Sequence, residues 1–470
     1  MQMTLDLQVC ERARLARDPR FDGRFFIAVT TTGIYCRPIC PAPSPKSSNV
    51  RYYPSAAAAA EAGFRPCLRC RPEASPGTPA WLGASSTVSR ALKLIGESAL
   101  DGGGVDTLAE RLGIGARHLR RLFLKYLGAT PIAVAQTRRV HFAKKLIDET
   151  RLPMTQIAMA AGFGSVRRFN ATFQTLYART PRDLRRTAKH ERNGHEPGHY
   201  TFRLDYRPPY DWNSIIGFLQ PRAIPGVETV TPEEYSRTIS FDGKSGAFSV
   251  RPVANHLQLN ITFPDPAALF RIVERVRRIF DLGADPAEVT GCFKRDERLR
   301  VPVRTWPGLR VPGCWDGFEI GVRAILGQQV TVKAASTMAG RLVTAFGSDG
   351  SAGSYEGARL FPTADTLASA DLAAIGLTRQ RAATIRELAE NVALKKIALD
   401  NSIDCAEFEQ RITTLRGIGP WTAQYIAMRL GEPDAFPSGD LYLREFAQEA
   451  EAWRPWRAYA AMYLWRQHVA

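Results

Sequence analysis

The chain has 470 residues, 45% hydrophobic and 23% charged, a composition that excludes a disordered protein and suits roughly two to four folded domains. Its net charge of +17 is lopsided: residues 1–200 hold 31 Lys and Arg against 15 Asp and Glu, whereas residues 201–470 hold 32 against 31. Charge carried only for solubility would be spread evenly; a basic first part points to a polyanion, nucleic acid before membrane, because neutralised phosphates release counterions.

The first segment, residues 1–80, is rich in Pro, Arg and Cys. It shows short strand-like runs in FFIAVTTTGIY and an Ala-rich helical patch at residues 56–62. Its start, MQMTLDLQVCERARLARD, lacks the apolar core of a secretory signal, and nowhere does an apolar run approach the ~20 residues of a membrane span. A cytoplasmic, nucleoid-associated protein with no membrane partner is expected. In such a chain the eight cysteines argue for metal or catalytic thiols over disulfides. Cys10, Cys292, Cys314 and Cys405 are scattered and read as ordinary buried thiols.

Cys36-x-x-x-Cys40 and Cys67-x-x-Cys70 form two short pairs on separate turns, a donor set suited to tetrahedral zinc. By spacing alone a purely structural zinc site is the commoner reading. The surrounding RDPRFDGRFFIAVTTTGIYCRPIC and GFRPCLRCRPE, over residues 17–73, closely resemble the N-terminal domain of the Ada family of methylation-damage sensors. That resemblance implies one zinc ion held by the four cysteines, with Cys36 accepting a methyl group from a DNA methylphosphotriester. A metal-held thiolate stays nucleophilic at neutral pH, and methylating one sulfur removes one of the cluster's two net negative charges, which turns damage into tighter DNA binding. Arg37, Lys46, Arg51, Arg65, Arg69 and Arg71 crowd this segment as cations for phosphates, although each alone reads as a solvated surface charge.

Residues 85–187 carry helical periodicity throughout, with an internal repeat. LFLKYLGATP and TFQTLYARTP stand 50 residues apart, aligning Phe123 with Phe173, Thr130 with Thr180 and Pro131 with Pro181. Each copy fits a helix-turn-helix whose second helix presents Arg117, His118, Arg120 and Arg121 in one and Arg167, Arg168 and Asn170 in the other. Any small helical bundle shares that spacing. The order Ile157-Ala158, Gly162-Phe163, Ser165, Phe169, Phe173, Thr180-Pro181 is sharper and resembles the paired helix-turn-helix of the AraC family, departing from it at Gln174, where a basic residue is usual, and at Ala178, where Gly is usual. No Pro-Cys-His-Arg motif of an alkylguanine transferase occurs, so repair of alkylguanine is not expected.

A polar stretch, residues 188–200, reads as a linker. Residues 201–290 alternate as strands, as in YSRTISF and HLQLNITF, with one helix over 266–280, and residues 291–470 are again helical. There LRGIGPWTAQYIAMRLG places Gly417-Ile418-Gly419 between two helices, a helix-hairpin-helix pattern whose small residues let backbone N–H groups approach a phosphate. A lone Gly-x-Gly is weak, but FPSGD follows, and hairpin-then-Asp is the arrangement of the helix-hairpin-helix DNA glycosylase superfamily. Together with YTFRLDYRPPYDWNSIIGFLQPRAIPGVETV, LRVPGCWDGFEIGVRAILGQQV and WRPWRAYAAMYLWR, it closely resembles the AlkA-type 3-methyladenine DNA glycosylases over residues 201–470.

The resemblance implies Asp440 as the catalytic carboxylate, Trp421, Tyr425, Trp465 and Phe218 as the base pocket, and Gln329 as the wedge that fills the gap left by a flipped base. Trp421 stands where strand-cleaving relatives carry Lys, so no Schiff base is expected. No cysteine follows Cys405, so no iron–sulfur cluster is expected, and Leu441 replaces the aromatic usual after the catalytic Asp. The expected whole is multidomain and mainly α with α+β parts: a small zinc-bound α/β domain, an AraC-type bundle, an α+β subdomain and a helix-hairpin-helix glycosylase. It would act as a monomer that senses phosphotriesters, activates transcription with RNA polymerase as partner, and excises alkylated bases from double-stranded DNA. The competing readings are a regulator with an inactive glycosylase half, and a zinc-stabilised repair enzyme whose helical module only delivers it to DNA.

Overall fold

The computed structural model describes residues 5–76, 86–187, 197–350, 357–400 and 402–469. The first unit is a four-stranded sheet of β1 (Phe26–Val29), β2 (Ile34–Cys36), β3 (Val50–Tyr53) and β4 (Arg65–Pro66), in the order β3-β1-β2-β4. β1 runs antiparallel to β2 and β3, and β4 joins β2 in parallel, pairing Ile34 with Arg65 and Tyr35 with Pro66. The parallel pairing matters because it brings the end of β2 beside the loop that follows β4. Helix Ala56–Glu61 starts where Ser55 Oγ accepts the Ala58 N–H at 3.0 Å, and buries Ala56 and Ala59 against Phe26, Tyr35 and Phe64. A second small cluster, Cys10, Ala13, Phe25 and Ile27, lies under the N-terminal helix Leu7–Leu15.

Seven helices follow: Ser86–Gly96, Val105–Arg111, Ala116–Leu127, Pro131–Glu149, Met154–Ala160, Val166–Tyr177 and Pro181–Thr187. The sequence repeat has a physical cause. Thr130 caps the long helix by accepting the Ala133 N–H at 3.2 Å, Thr180 accepts the Asp183 N–H at 3.2 Å, and a proline with no N–H to lose begins each helix. The turns are left-handed at Gly113 and Gly162 (φ +69° and +76°). Gly128 ends one recognition helix at φ +66°, and Ala178 ends the other at φ +52°, so the sequence departure falls at a backbone position that favours glycine.

The expected linker lies largely outside the described residues, and strand pairing resumes at His199, inside its expected C-terminal end. The second sheet is wholly antiparallel, in the order β5-β9-β8-β7-β6: β5 (His199–Asp205), β6 (Glu228–Val230), β7 (Tyr235–Phe241), β8 (Lys244–Val253) and β9 (His256–Thr262). Alternate residues such as Phe248, Val250, Leu257, Leu259 and Ile261 face the core. Among the helices of this half are Trp212–Leu219, Leu269–Ile279, Gly317–Leu326, Val332–Phe346, Arg379–Ala393, Cys405–Ile412, Pro420–Arg429 and Arg457–Val469. Sheet and helices are joined by a buried ion network, with Arg237 Nη2 on Glu319 Oε2 at 2.7 Å and Arg323 Nη1 on Glu228 Oε2 at 3.0 Å. No described helix is long and apolar enough to cross a membrane.

The apolar cores do not follow the order of the segments. One cluster unites Ala57 and Ala58 with the first helix-turn-helix, up to Val134 and Ala135. Another runs from Val140 through the second helix-turn-helix into the whole C-terminal half. Ion pairs bridge the two halves as well: Arg37 to Asp205 (3.0 Å), Arg24 to Asp285 (3.2 Å), Arg138 to Glu274 (2.9 Å) and Arg111 to Asp400 (2.9 Å).

Candidate metal centre, DNA-reading helices and base pocket

Cys36 ends β2, Cys40 lies one turn later, and Cys67 and Cys70 occupy the loop after β4, so the parallel β2–β4 pairing converges two distant sequence pairs. The four sulfurs lie within 4.8 Å of one another. A tetrahedral ion with Zn–S bonds of about 2.3 Å holds its sulfurs roughly 3.8 Å apart, so the donor set fits zinc. Backbone N–H groups already point at the sulfurs, Arg37 to Cys70 Sγ at 3.3 Å and Arg69 to Cys67 Sγ at 3.4 Å, as expected around thiolates. Hydrogen bonding from Cys36 lowers the Cys40 thiol below the ordinary thiol range. Cys36 and Cys40 are half-buried and Cys67 and Cys70 buried. The four cysteines form a zinc site.

The arginines of this segment divide. Lys46, Arg51, Arg65 and Arg69 are exposed, but Arg37 is 4% exposed and is no solvated surface charge. Its Nε bonds Asp22 Oδ1 at 2.9 Å, its Nη1 the Cys70 carbonyl at 3.2 Å, and its Nη2 reaches Asp205 on β5. Arg71 is likewise spent on Glu149 (3.0 Å) and Asp148 (3.2 Å) of the long helix. A basic run predicts surface cations at both positions, and both are structural because acidic partners remote in sequence meet them. A cavity of about 580 Å³ lies over Cys36, Cys40 and Cys67, lined also by Arg17, Arg65, Arg69 and Arg179.

On the recognition helices Arg117, His118, Arg120 and Arg121 are all exposed, as are Arg167, Arg168 and Asn170, while Leu119, Phe123, Phe169 and Phe173 are buried beneath them. Arg121 Nη2 stands 2.9 Å from His118 Nδ1.

In the C-terminal half the hairpin glycines are exposed. Gly417 has φ +89°, and an added Cβ would stand 2.3 Å from Thr384 Oγ1; Gly419 begins helix Pro420–Arg429 with extended backbone. Ile418 differs: its side chain is 3% exposed and its N–H donates to Leu415 O at 3.1 Å, so the side chain anchors the hairpin from below. Asp440, half-buried, has Oδ1 held by Trp465 Nε1 and by the Tyr442 N–H, each at 3.0 Å. Gly439 lets this loop close on Trp421, since an added Cβ would sit 3.2 Å from the Trp421 Cβ.

The four aromatics come together from three remote stretches. Trp421 and Tyr425, one helical turn apart, stack at 5.7 Å; Tyr425 and Trp465 stand 6.5 Å apart; Trp465 and Phe218 stack at 6.5 Å. The Trp421 indole N–H is buried and has no hydrogen-bond partner among the described residues, a donor that an incoming ligand can satisfy. Two cations border this cleft that the sequence reading missed. Arg222 lies 3.9 Å over the Phe218 ring, and Arg429 lies 5.1 Å over the same ring and donates to Tyr425 Oη at 3.0 Å. Burial alone would push the Tyr425 phenol up, but Arg429, Arg222 and Arg323 together hold it below the ordinary phenol range. Both arginines follow an aromatic by four residues, the one signal that sequence offered for them. Gln329 is exposed at a turn with φ +55°, and Leu441 is 63% exposed beside Asp440.

Comparison with known proteins agrees with this geometry. The family described as metal binding domain of Ada matches residues 9–73 and a helix-turn-helix domain matches 108–187. The AlkA N-terminal domain matches 201–316, and the HhH-GPD superfamily of base excision DNA repair proteins matches 322–466. A probable bifunctional transcriptional activator/DNA repair enzyme AlkA of Mycobacterium tuberculosis is 40% identical over 98% of this chain and 96% of its own. DNA-3-methyladenine glycosylase 2 of Escherichia coli is 33% identical over 56% of this chain and 96% of its own. The bifunctional transcriptional activator/DNA repair enzyme Ada of Escherichia coli is 35% identical over 39% of this chain and 48% of its own. With four matched domains in this order and one relative alike along nearly its whole length, the chain belongs to the family of bifunctional activator/DNA repair proteins that join an Ada-type zinc domain and helix-turn-helix to an AlkA-type glycosylase.

Proposed function

We propose that this chain responds to DNA alkylation in two ways: Cys36 takes a methyl group from a backbone methylphosphotriester, which converts the protein into a transcriptional activator, and the Asp440 cleft excises alkylated bases such as 3-methyladenine. The repair half is carried by one observation, the half-buried Asp440 fixed at 3.0 Å by Trp465 Nε1, where that indole is itself part of the aromatic cleft. A cationic alkylated purine is already a good leaving group, so the protein needs to extrude it, stack it and offset charge on the sugar. Trp421, Tyr425 and Trp465 provide stacking faces, and the exposed hairpin around Gly417 and Gly419 offers backbone to a phosphate. As the C1′–N bond breaks, its electron pair leaves with the base. Asp440 faces the growing positive charge on the sugar, and water adds to C1′ and gives its proton to the carboxylate.

In the sensor half, zinc when bound supplies a low-pKa environment that keeps the sulfurs as thiolates. The Cys36 Sγ forms a bond to the methyl carbon while the methyl C–O bond breaks, and its electrons restore an anionic phosphodiester. The exposed Arg65 and Arg69, in the cavity over Cys36, provide cations for that backbone. The recognition helices then hold operator DNA through Arg117, His118, Arg120, Arg121, Arg167, Arg168 and Asn170, with RNA polymerase as the partner in activation.

The test is release of 3-methyladenine from methylated duplex DNA by wild type and by Asp440→Asn, with transfer of labelled methyl to Cys36 measured on the same preparations. Wild type should release base and Asp440→Asn should lose at least about a hundredfold in rate. Equal rates would remove Asp440 from the reaction, and a silent wild type that still takes up methyl would favour the regulator with an inactive glycosylase half.

A further inference from the structure

Gln328 immediately precedes the exposed Gln329, in the turn between helices Gly317–Leu326 and Val332–Phe346. Its side chain is turned inward. Both amide hydrogens are used on the helix-hairpin-helix: Nε2 donates to Gly417 O at 2.8 Å and to Thr422 Oγ1 at 2.9 Å, one on each side of Gly419. Thr422 is 2% exposed, so that acceptor sits on a rigid helix face. From the other direction Arg381 Nη2 holds the Gln328 carbonyl at 2.7 Å. The hairpin is braced in turn by Thr384 Oγ1, which donates to Arg416 O at 2.9 Å. Gln329 adopts φ +55°, which side-chain-bearing residues rarely take, so its outward projection is imposed by its neighbours. Val330 and Val332, 37% and 38% exposed, leave an apolar flank beside it.

We propose that Gln328 is a positioning residue that locks the projecting Gln329 turn to the phosphate-binding hairpin, so that seating the hairpin on DNA delivers Gln329 into the duplex in register with the nucleotide being extruded. The inference rests on the glycosylase reading above. It makes two DNA contacts, wedge and phosphate seat, one rigid unit, with the amide as the connecting strut. Its energetic role is confined to extrusion: opening a stacked, paired nucleotide costs a few kcal/mol, and a wedge that is loose or out of register cannot offset it. Its side-chain bonds are to Gly417 O and Thr422 Oγ1, so it is a positioning residue and not a group that acts on the extruded base.

The test uses full-length protein and duplexes carrying one N7-methylguanine, opposite cytosine in one duplex and opposite an abasic gap in the other, with single-turnover base release measured for both. Gln328→Met keeps the side-chain length and removes both donors, and Thr422→Val removes one of the two acceptors. Gln328→Met should slow release from the paired duplex by about ten- to a hundredfold, as two hydrogen bonds imply, and leave the unpaired duplex within about twofold of wild type. Thr422→Val should show a smaller loss on the paired duplex alone. Equal losses on both duplexes, or no loss on the paired one, would overturn the inference. Absence of release by wild type from either duplex would instead sink the glycosylase reading, and this inference with it.

Discussion

Replacing Arg37 by Met should be among the most damaging single changes outside the metal ligands, because its side chain is buried on Asp22, Asp205 and the Cys70 carbonyl. Met keeps much of the stem and deletes the cation. Asp22, 3% exposed, then loses the bidentate partner that holds both its oxygens, and the Cys70 carbonyl loses its donor. Asp205, 7% exposed, loses Arg37 but keeps Arg203 Nε at 2.6 Å. One carboxylate is therefore stranded and one weakened. Leaving a buried charge without its partner costs about 3–5 kcal/mol. The check is a double-mutant cycle on the thermal unfolding of the full-length protein, with Asp22→Asn as the second change. Arg37→Met alone should show the full loss, and the double variant should recover much of it because no charge is left stranded. A loss below about 1 kcal/mol for Arg37→Met, or strict additivity in the double variant, would refute the argument that Arg37 and Asp22 are a buried pair whose separation strands a charge.

Three further outcomes follow from the geometry. Ala178→Gly, at φ +52°, should stabilise the second helix-turn-helix by up to about 1 kcal/mol in thermal melts, because glycine adopts that backbone without steric cost. Gly417→Ala should distort the hairpin twice over, by φ +89° and by a Cβ 2.3 Å from Thr384 Oγ1, and should weaken binding to undamaged duplex DNA at low salt while leaving methyl uptake at Cys36 unchanged. Stability of the C-terminal half should fall on acidification through Glu228. Burial would raise its pKa, but Arg323 and Arg237 hold it at about 2 against an ordinary 4.5, so its contribution is complete above pH 4.5 and is lost as pH falls towards 2. Glu228→Gln should flatten that acid limb of the unfolding curve.

What the sequence disclosed was chemistry held in short stretches. The two cysteine pairs, the repeated Thr-Pro caps and the hairpin-then-Asp order are local, and each keeps its meaning wherever the rest of the chain goes. The aromatic cleft was reachable only by resemblance, since Phe218 and Trp465 stand far apart in sequence and meet only when the sheet and the last helix pack. The burial of Arg37 was illegible: an arginine in a basic run reads as solvated, and its partner Asp205 lies 168 residues on, across a domain boundary. Ile418 shows the converse case. It stands between two exposed glycines, yet its side chain is buried at 3%, an apolar peg under the hairpin that the motif alone did not disclose.

The partition of the cores bears on how the two halves can work together. The sensor shares its helix Ala56–Glu61 with the first helix-turn-helix, whereas the second helix-turn-helix shares one continuous core with the glycosylase. Helix Pro131–Glu149 belongs to both, through Val134 and Ala135 at one end and Val140, Phe142 and Leu146 at the other. The two DNA-reading helices are therefore anchored to different bodies, and their spacing is set by one 19-residue helix together with the ion pairs that cross between the halves. Under the proposed methyl transfer, the change of charge at Cys36 would fall beside Arg37, whose bond to Asp205 is one of those crossings.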